Sequence, residues 1–260
     1  MNDKRPLILV VNDDGITAPG IRSLINVMLD LGEVVVVAPD SPQSGMGHAI
    51  TLGQVIRYKK IKIDNGLQKD YSCTGTPADC VKLAVNKVLS RKPDLLVSGI
   101  NHGSNSSINV IYSGTMSAAI EGSLSGIPSV GFSLLDYSWD ADFKPSLEYI
   151  KVISKNILKN GLPKGTCLNV NIPAVSKKKL KGIKVCRQAD ANWLEEFDER
   201  SDPTGKTYFW LKGTFHNFDK GNDTDEWALK NDYISVVPVQ FDITAHHAIS
   251  YLNNWNYDVL

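Results

Sequence analysis

The chain has 260 residues, 42% of them apolar and 22% charged, and its 28 basic and 28 acidic side chains give a formal net charge of zero. A chain this long buries a substantial core, as one large domain or two small ones. Its charge balance excludes whole-molecule attraction to nucleic acid or to an anionic membrane, so any phosphate binding has to be local.

The first element is the run Leu7–Val11, five apolar residues that read as a buried strand. After it, "APGIRSLINVMLDLG" places Ile21, Leu24, Ile25, Met28 and Leu29 at helical spacing, with Pro19 suited to a first turn. "EVVVVAP" is a second buried strand, and the alternation in "ITLGQVIRYKKIKI" suggests a hairpin-like insertion. "CTGTPADCVKLAVNKVL" starts a helix with Thr76 as N-cap, Pro77 at the first helical position and Asp79 in the first turn. "DLLVSG", "TMSAAIEGSLSG" and "IPSVGFSL" continue as strand, helix and strand, and a helix near Leu147–Leu158 and the strand "CLNVNIP" close the series. Such alternation predicts a doubly wound, mainly parallel sheet covered by helices on both faces, a Rossmann-like α/β fold.

Beyond about Pro173 the texture becomes basic, then aromatic and acidic, and long helical periodicity disappears. One domain is therefore expected over 1–260, with an α/β core to residue 172 and a β-rich extension over 173–260. Cys73, Cys80, Cys167 and Cys186 form no C-x-x-C pair, the N-terminal apolar run is too short for a signal sequence, and no stretch reaches the ~18 apolar residues that span a bilayer. A soluble cytoplasmic protein with reduced thiols is expected.

In a doubly wound sheet, ligands collect beyond the carboxyl ends of the strands. Four polar loops fall there: "NDDG", "DSPQSGMGH", "GTPAD" and "SGINHGSNSSINVIYSGT". The adjacent acids Asp13 and Asp14 fit a helix cap, where an acid favours the positive end of the dipole. Taken alone the pair reads first as such a cap; a cation site is the other reading, because two ionised carboxylates repel and a divalent ion removes that cost. Acids with serine and asparagine oxygens form a hard ligand set suited to Mg2+ or Mn2+. Gly114 and Thr115 open a predicted helix, and the stretch "SGT" alone reads as its cap, although the free N–H groups of a helix start can also form an anion site.

The segments "ILVVNDDGITAPGI", "VVAPDSPQSGMGHAIT", "SCTGTPADCVKLA", "DLLVSGINHGSN" and "YSGTMSAAIEG" occur in one order over the first half of the chain. In them the sequence resembles the SurE (survival protein E) family of metal-dependent 5′-nucleotidases, with looser echoes in "NDTDEWAL" and "ISVVPVQFDITAH". The resemblance implies one divalent cation per subunit, Mg2+ or Mn2+, held by Asp13, Asp14, Ser44 and Asn101, with Asp13, Asp14 and Asn101 forming the catalytic centre. It implies phosphate contacts from Ser113, Gly114 and Thr115, with Asn12 and Asn105 as further polar contacts. It also implies hydrolysis of nucleoside 5′-monophosphates, with 3′-nucleotides and short polyphosphate as further substrates, and a homodimer or homotetramer whose C-terminal part exchanges between subunits. Whether a carboxylate also acts as general base stays open, as does the general acid, for which His48 and His102 are neighbours of the site in sequence.

Other features have plainer readings. Lys177–Lys181 read as a solvated loop, and His246 and His247 as neighbours pointing apart on a strand. Trp193, Phe197, Tyr208, Phe209 and Trp210 fit core, interface or base pocket. A phosphatase of the aspartyl-phosphate type wants D-x-D after the first strand, a serine hydrolase wants G-x-S-x-G, and dinucleotide binding wants G-x-G-x-x-G; none of the three is present. The alternative from another class is a non-catalytic nucleotide-binding module.

Overall fold

The computed structural model describes residues 5–257. In chain order its elements are β1 (Leu7–Val11), α1 (Pro19–Leu29), β2 (Glu33–Pro39), β3 (Tyr58–Ile61), β4 (Lys69–Cys73), α2 (Pro77–Leu83) and β5 (Leu95–His102). There follow α3 (Gly114–Leu124), β6 (Ser129–Leu134), α4 (Leu147–Asn160), β7 (Thr166–Ile172), β8 (Ile183–Val185), β9 (Ala191–Ser201), β10 (Thr207–Asn217), α5 (Asp225–Lys230), β11 (Ile234–Gln240) and α6 (His246–Leu252).

The main sheet runs β3-β4-β2-β1-β5-β6-β7-β11-β8. From β4 to β7 all neighbours are parallel, whereas β3 pairs antiparallel with β4; of the segment read as a hairpin-like insertion only β3 is a strand, and its partner β4 lies beyond it. β1 and β2 are unbroken apolar runs because both faces of the sheet are covered. Ile8, Val10, Val34 and Val36 pack with Ile21, Leu24 and Ile25 of α1 and Ile150 of α4. Leu7, Leu9, Val35 and Val37 face Cys80 and Val81 of α2 and Ala118 of α3.

Local chemistry starts the helices where the sequence predicts. The Thr76 hydroxyl accepts from the Asp79 N–H at 3.2 Å, and the Asp79 carboxylate accepts from the Thr76 N–H at 3.0 Å, so two orphan donors of α2 are satisfied reciprocally. At α3 the Ser113 hydroxyl accepts from the Met116 N–H at 3.0 Å.

The chain lays β2 and β4 on one side of β1 and then crosses to place β5 on the other. The strand order reverses between β1 and β5, and the crevice beyond their carboxyl ends is where such sheets bind ligands. There β5 departs from regularity. Its register with β6 runs to Ser98↔Gly131 and resumes at Asn101↔Ser133, so one extra residue is inserted. Gly99, at φ +120°, permits this, and a Cβ on it would collide with the Phe132 carbonyl. A bulge of this kind reverses the side-chain alternation beyond it, which re-aims Asn101.

The region after residue 173 is only partly an extension. β11 enters the main sheet between β7, to which it is antiparallel, and β8, to which it is parallel. Among the described residues the part that stands apart is the antiparallel hairpin β9–β10. His246 and His247 begin α6 and are not on a strand: the chain leaves β11 at Gln240, and the His246 Nε2 meets Asp242 Oδ2 one helical turn away at 2.9 Å. Lys177 pairs with Glu148 at 2.6 Å in an exposed loop, as expected of a solvated charge run. No helix among the described residues is long and apolar enough to cross a membrane.

Candidate active site

The two acids follow directly from the end of β1. Asp13 is 4% exposed. The Thr115 hydroxyl donates to its Oδ1, and a Cβ placed on Gly114 would lie 2.7 Å from the Asp13 Cβ and 2.9 Å from Oδ2. Only glycine therefore lets the first residue of α3 approach the carboxylate so closely. Burial first, and then the charge of Asp14, push the Asp13 pKa up to about 7, against the opposing pull of the Thr115 hydroxyl and nearby backbone N–H groups. Asp14 is partly buried and accepts from the His102 N–H at 3.3 Å. Burial raises its pKa too, while His102 draws it back.

Asn12 is fully buried. Its Nδ2 donates to the Gly15 carbonyl at 2.8 Å, but its Oδ1 has no donor. Asn101, at the end of β5, donates through Nδ2 to the Gly103 carbonyl at 2.9 Å, and that fixed amide leaves Oδ1 as the end available to a ligand. Ser44 is exposed on the loop after β2. That loop is tied to the acids through the Gln43 N–H, which donates to the Asp13 carbonyl at 2.7 Å, and to the start of α3 through the Gly47 N–H, which donates to the Tyr112 carbonyl at 3.0 Å.

The structure thus ties Asp13 to Gly114 and Thr115 by direct contact, and the Ser44 loop and Asn101 to the same crevice through backbone links. Ser113 is occupied as the cap of α3. Asn105 lies in a buried amide network: its N–H donates to Asn171 Oδ1 at 2.8 Å, its Nδ2 to Ser133 Oγ at 2.8 Å, and its carbonyl accepts from Asn169 Nδ2 at 2.7 Å. These bonds hold the loop after β5 down on β6 and β7. His102 Nδ1 is engaged with the Ser138 carbonyl at 2.7 Å, its ring stacks on Trp139, and its buried Nε2 has no partner.

Sequence reasoning missed two acids that organise this crevice. Glu121, buried on α3, binds His48 Nε2 at 3.0 Å and Lys82 Nζ at 2.7 Å. Burial opposes its ionisation, but His48 and Lys82 override that and hold its pKa below the usual glutamate range. It moors the Ser44 loop and α2 to α3. The signal was its position as the one charged residue of "GTMSAAIEGSL". Asp225, fully buried at the start of α5, accepts from the N–H groups of Ser107 at 2.8 Å, Ala189 at 2.9 Å and Glu226 at 2.8 Å. It pins the turn at Ser107, whose φ is +50°.

The donor set fits a hard divalent cation. Two carboxylates whose ionisation is penalised by burial and mutual repulsion share the crevice with neutral amide and hydroxyl oxygens, and the buried Asn12 Oδ1 beside them lacks a donor. Among the described residues no group of three or more His, Cys, Asp or Glu side chains is disposed to hold a metal.

Comparison with known proteins agrees with this architecture. The family described as Survival protein SurE matches residues 8–195. The chain belongs to the SurE family. A SurE relative from Christiangramia forsetii, named 5′-nucleotidase SurE, is 65% identical over 98% of this chain and 99% of its own length. One from Flavobacterium psychrophilum with the same name is 66% identical over 97% of this chain and 98% of its own. The crystal structure of the SurE protein from Aquifex aeolicus superposes with a TM-score of 0.82 at 40% identity, covering 96% of this chain and all of that one. The α/β SurE fold expected from the sequence is thereby established.

Proposed function

We propose that this chain is a divalent-metal-dependent phosphatase that hydrolyses nucleoside 5′-monophosphates, with 3′-nucleotides and short polyphosphate as secondary substrates. The observation that carries the reading is the direct apposition of Asp13 to the first residues of α3 at the strand-order reversal. A cation-binding carboxylate and an anion-binding helix start thus share one crevice. Asp13, Asp14, Ser44 and Asn101 would hold one Mg2+ or Mn2+. The chemistry such a cation supplies is polarisation of a phosphoryl oxygen and activation of water.

The chain's own residues do the rest. Asp13 is held by Thr115, and Asp14 by the His102 N–H, so both carboxylates are oriented before substrate arrives. Ser113, Gly114 and Thr115 would hold phosphoryl oxygens through the free N–H groups and dipole of α3. Asn12 and Asn101 present amide oxygens to the same crevice. In the reaction, water oxygen bonds to phosphorus, the P–O bond to the ribose breaks, and the nucleoside leaves with a proton on that oxygen.

We further propose that the chain acts as one domain and as a homo-oligomer in the cytoplasm. The hairpin β9–β10 supports this, since it exposes Phe197, Phe209 and Leu211 on one face and Tyr208 and Trp210 on the other. The cysteines support the reducing compartment, all four being buried and unpaired.

The test is phosphate release from 5′-AMP, 3′-AMP and tripolyphosphate with Mg2+ or Mn2+, with and without chelator, for wild type and Asp14→Asn. The expected result is metal-dependent release, greatest on 5′-AMP and lost in the variant. Nucleotide binding without release would favour the non-catalytic module, and label retained on the protein would favour an aspartyl-phosphate route.

A further inference from the structure

Between β6 and α4 the chain crosses the end of β5 as a loop over residues 135–143. The loop is anchored at both ends: the Leu135 N–H donates to the Ile172 carbonyl at 2.9 Å, and Phe143 is buried in the core. Its middle reaches back to the crevice with two aromatic rings. Tyr137 lies on Gly103, where a Cβ would come within 2.2 Å of its ring. Trp139 stacks on His102, with 5.6 Å between ring centroids and 8° between ring planes. We infer that Trp139 is a positioning residue for phosphate release: through the His102 ring it holds the backbone that aims Asn101 and donates to Asp14. The inference rests on the nucleotidase reading above and deepens it.

The end of β5 needs such a brace. Its ladder with β1 stops at Val11↔Ser98, and the bulge at Gly99 breaks its register with β6. Beyond the bulge, among the described residues, the ladder goes on with β6 alone, at Asn101↔Ser133 and His102↔Leu134. Yet this stretch carries both the Asn101 amide and the His102 N–H that reaches Asp14 at 3.3 Å. That bond is already long, so a small outward drift of the strand end breaks it. A backbone donor has no rotamer with which to recover; its aim depends on what grips the residue that carries it.

The loop grips His102 by its side chain. Nδ1 donates to the Ser138 carbonyl at 2.7 Å, Trp139 covers a face of the imidazole, and Phe143 meets the ring edge-on at 5.1 Å. Trp139 is itself 58% exposed, so its loss opens no hole in the core; what it secures is the imidazole. Groups that orient a metal ligand from outside are worth about 10- to 100-fold in metal affinity or activity. Trp139 acts one residue further out, which puts it at the lower end of that range.

The experiment measures Mn2+ affinity of the chelator-stripped chain by electron paramagnetic resonance, kcat and KM for 5′-AMP in saturating Mn2+, and the urea midpoint in chelator. It compares wild type, Trp139→Ala, Trp139→Phe, His102→Ala and the double variant with alanine at both positions. Trp139→Ala should weaken Mn2+ binding and lower kcat by about 10-fold each, with KM and the urea midpoint little changed. Trp139→Phe, which keeps a ring to stack, should restore most of both losses. His102→Ala keeps the N–H but removes the ring that the loop grips, so it should lose at least as much, and adding Trp139→Ala to it should cost nothing further. Wild-type Mn2+ affinity and kcat in Trp139→Ala, or losses that add in the double variant, would overturn the inference, as would losses that follow only the fraction of unfolded chain. Wild type that neither binds Mn2+ nor releases phosphate would instead overturn the underlying nucleotidase reading.

Discussion

Replacing Asp13 by asparagine should make the metal-free protein more stable at neutral and alkaline pH while abolishing its chemistry. The carboxylate ordinarily titrates at 3.8 and is lifted to about 7 by burial and by Asp14. Ionised Asp13 is therefore about 4 kcal/mol costlier inside the fold than in the unfolded chain. Between pH 3.8 and 7 the native state keeps a proton that the unfolded state has lost. Stability then falls with rising pH, by about 1.4 kcal/mol per pH unit. The favourable contribution is complete below pH 3.8 and gone above about 7.

Asparagine is neutral throughout and still offers Oδ1 to the Thr115 hydroxyl, though its new amide N–H groups offset part of the gain by about 1–3 kcal/mol if left unpaired. The net expectation is a stabilisation of about 1–3 kcal/mol at pH 8, shrinking as pH falls toward 4. Urea unfolding in chelator at pH 5 and pH 8 measures it. Parallel pH dependences for wild type and variant would refute the assigned burial penalty. Added Mg2+ or Mn2+ should raise wild-type stability and leave the variant unmoved.

Gly114→Ala places a methyl group 2.7 Å from the Asp13 Cβ. It should cost about 100-fold in phosphate release with a well-folded chain, because sub-ångström displacement of a reacting group is expensive; wild-type kcat/KM would contradict the packing argument. Asp225→Asn replaces one acceptor oxygen of a buried carboxylate with an amide NH2, which then faces the backbone N–H of Ser107 or those of Ala189 and Glu226. A loss of about 2–3 kcal/mol in chemical unfolding is expected, together with faster amide exchange at Ser107. Glu121→Gln should loosen the Ser44 loop through His48, seen as weaker protection of residues 43–48 in amide exchange while the sheet is unchanged.

How much of this was legible in the sequence depends on the range of the forces involved. The starts of α2 and α3 were readable because a cap is a local bargain between Thr76 and Asp79, or between Ser113 and Met116. The buried strands were readable because β1 and β2 face apolar layers on both sides. The residues of the crevice were legible as loops at strand ends, and the family motifs gave them roles that the acid pair alone left open between cap and cation. What the sequence hid was long-range. The insertion of β11 between β7 and β8 depends on pairing with strands that lie far back along the chain, and no local pattern announces it. The bulge brings Gly99 against the Phe132 backbone and Ile100 against Gly20, on two other elements. Asp225 and Glu121 read as ordinary helix acids until their distant partners are seen. His246 and His247 were misplaced on a strand because the apolar alternation of β11 seemed to run on past Gln240.

The central claim is that Asp13 and Asp14 hold a divalent cation on which phosphate release depends. Mn2+ binding to the chelator-stripped chain, followed by electron paramagnetic resonance alongside phosphate release from 5′-AMP, tests it most directly. Wild type should bind one Mn2+ per chain, with binding and release lost together in Asp13→Asn and in Asp14→Asn. One tightly bound Mn2+ in both variants, or undiminished release by wild type in chelator, would contradict it.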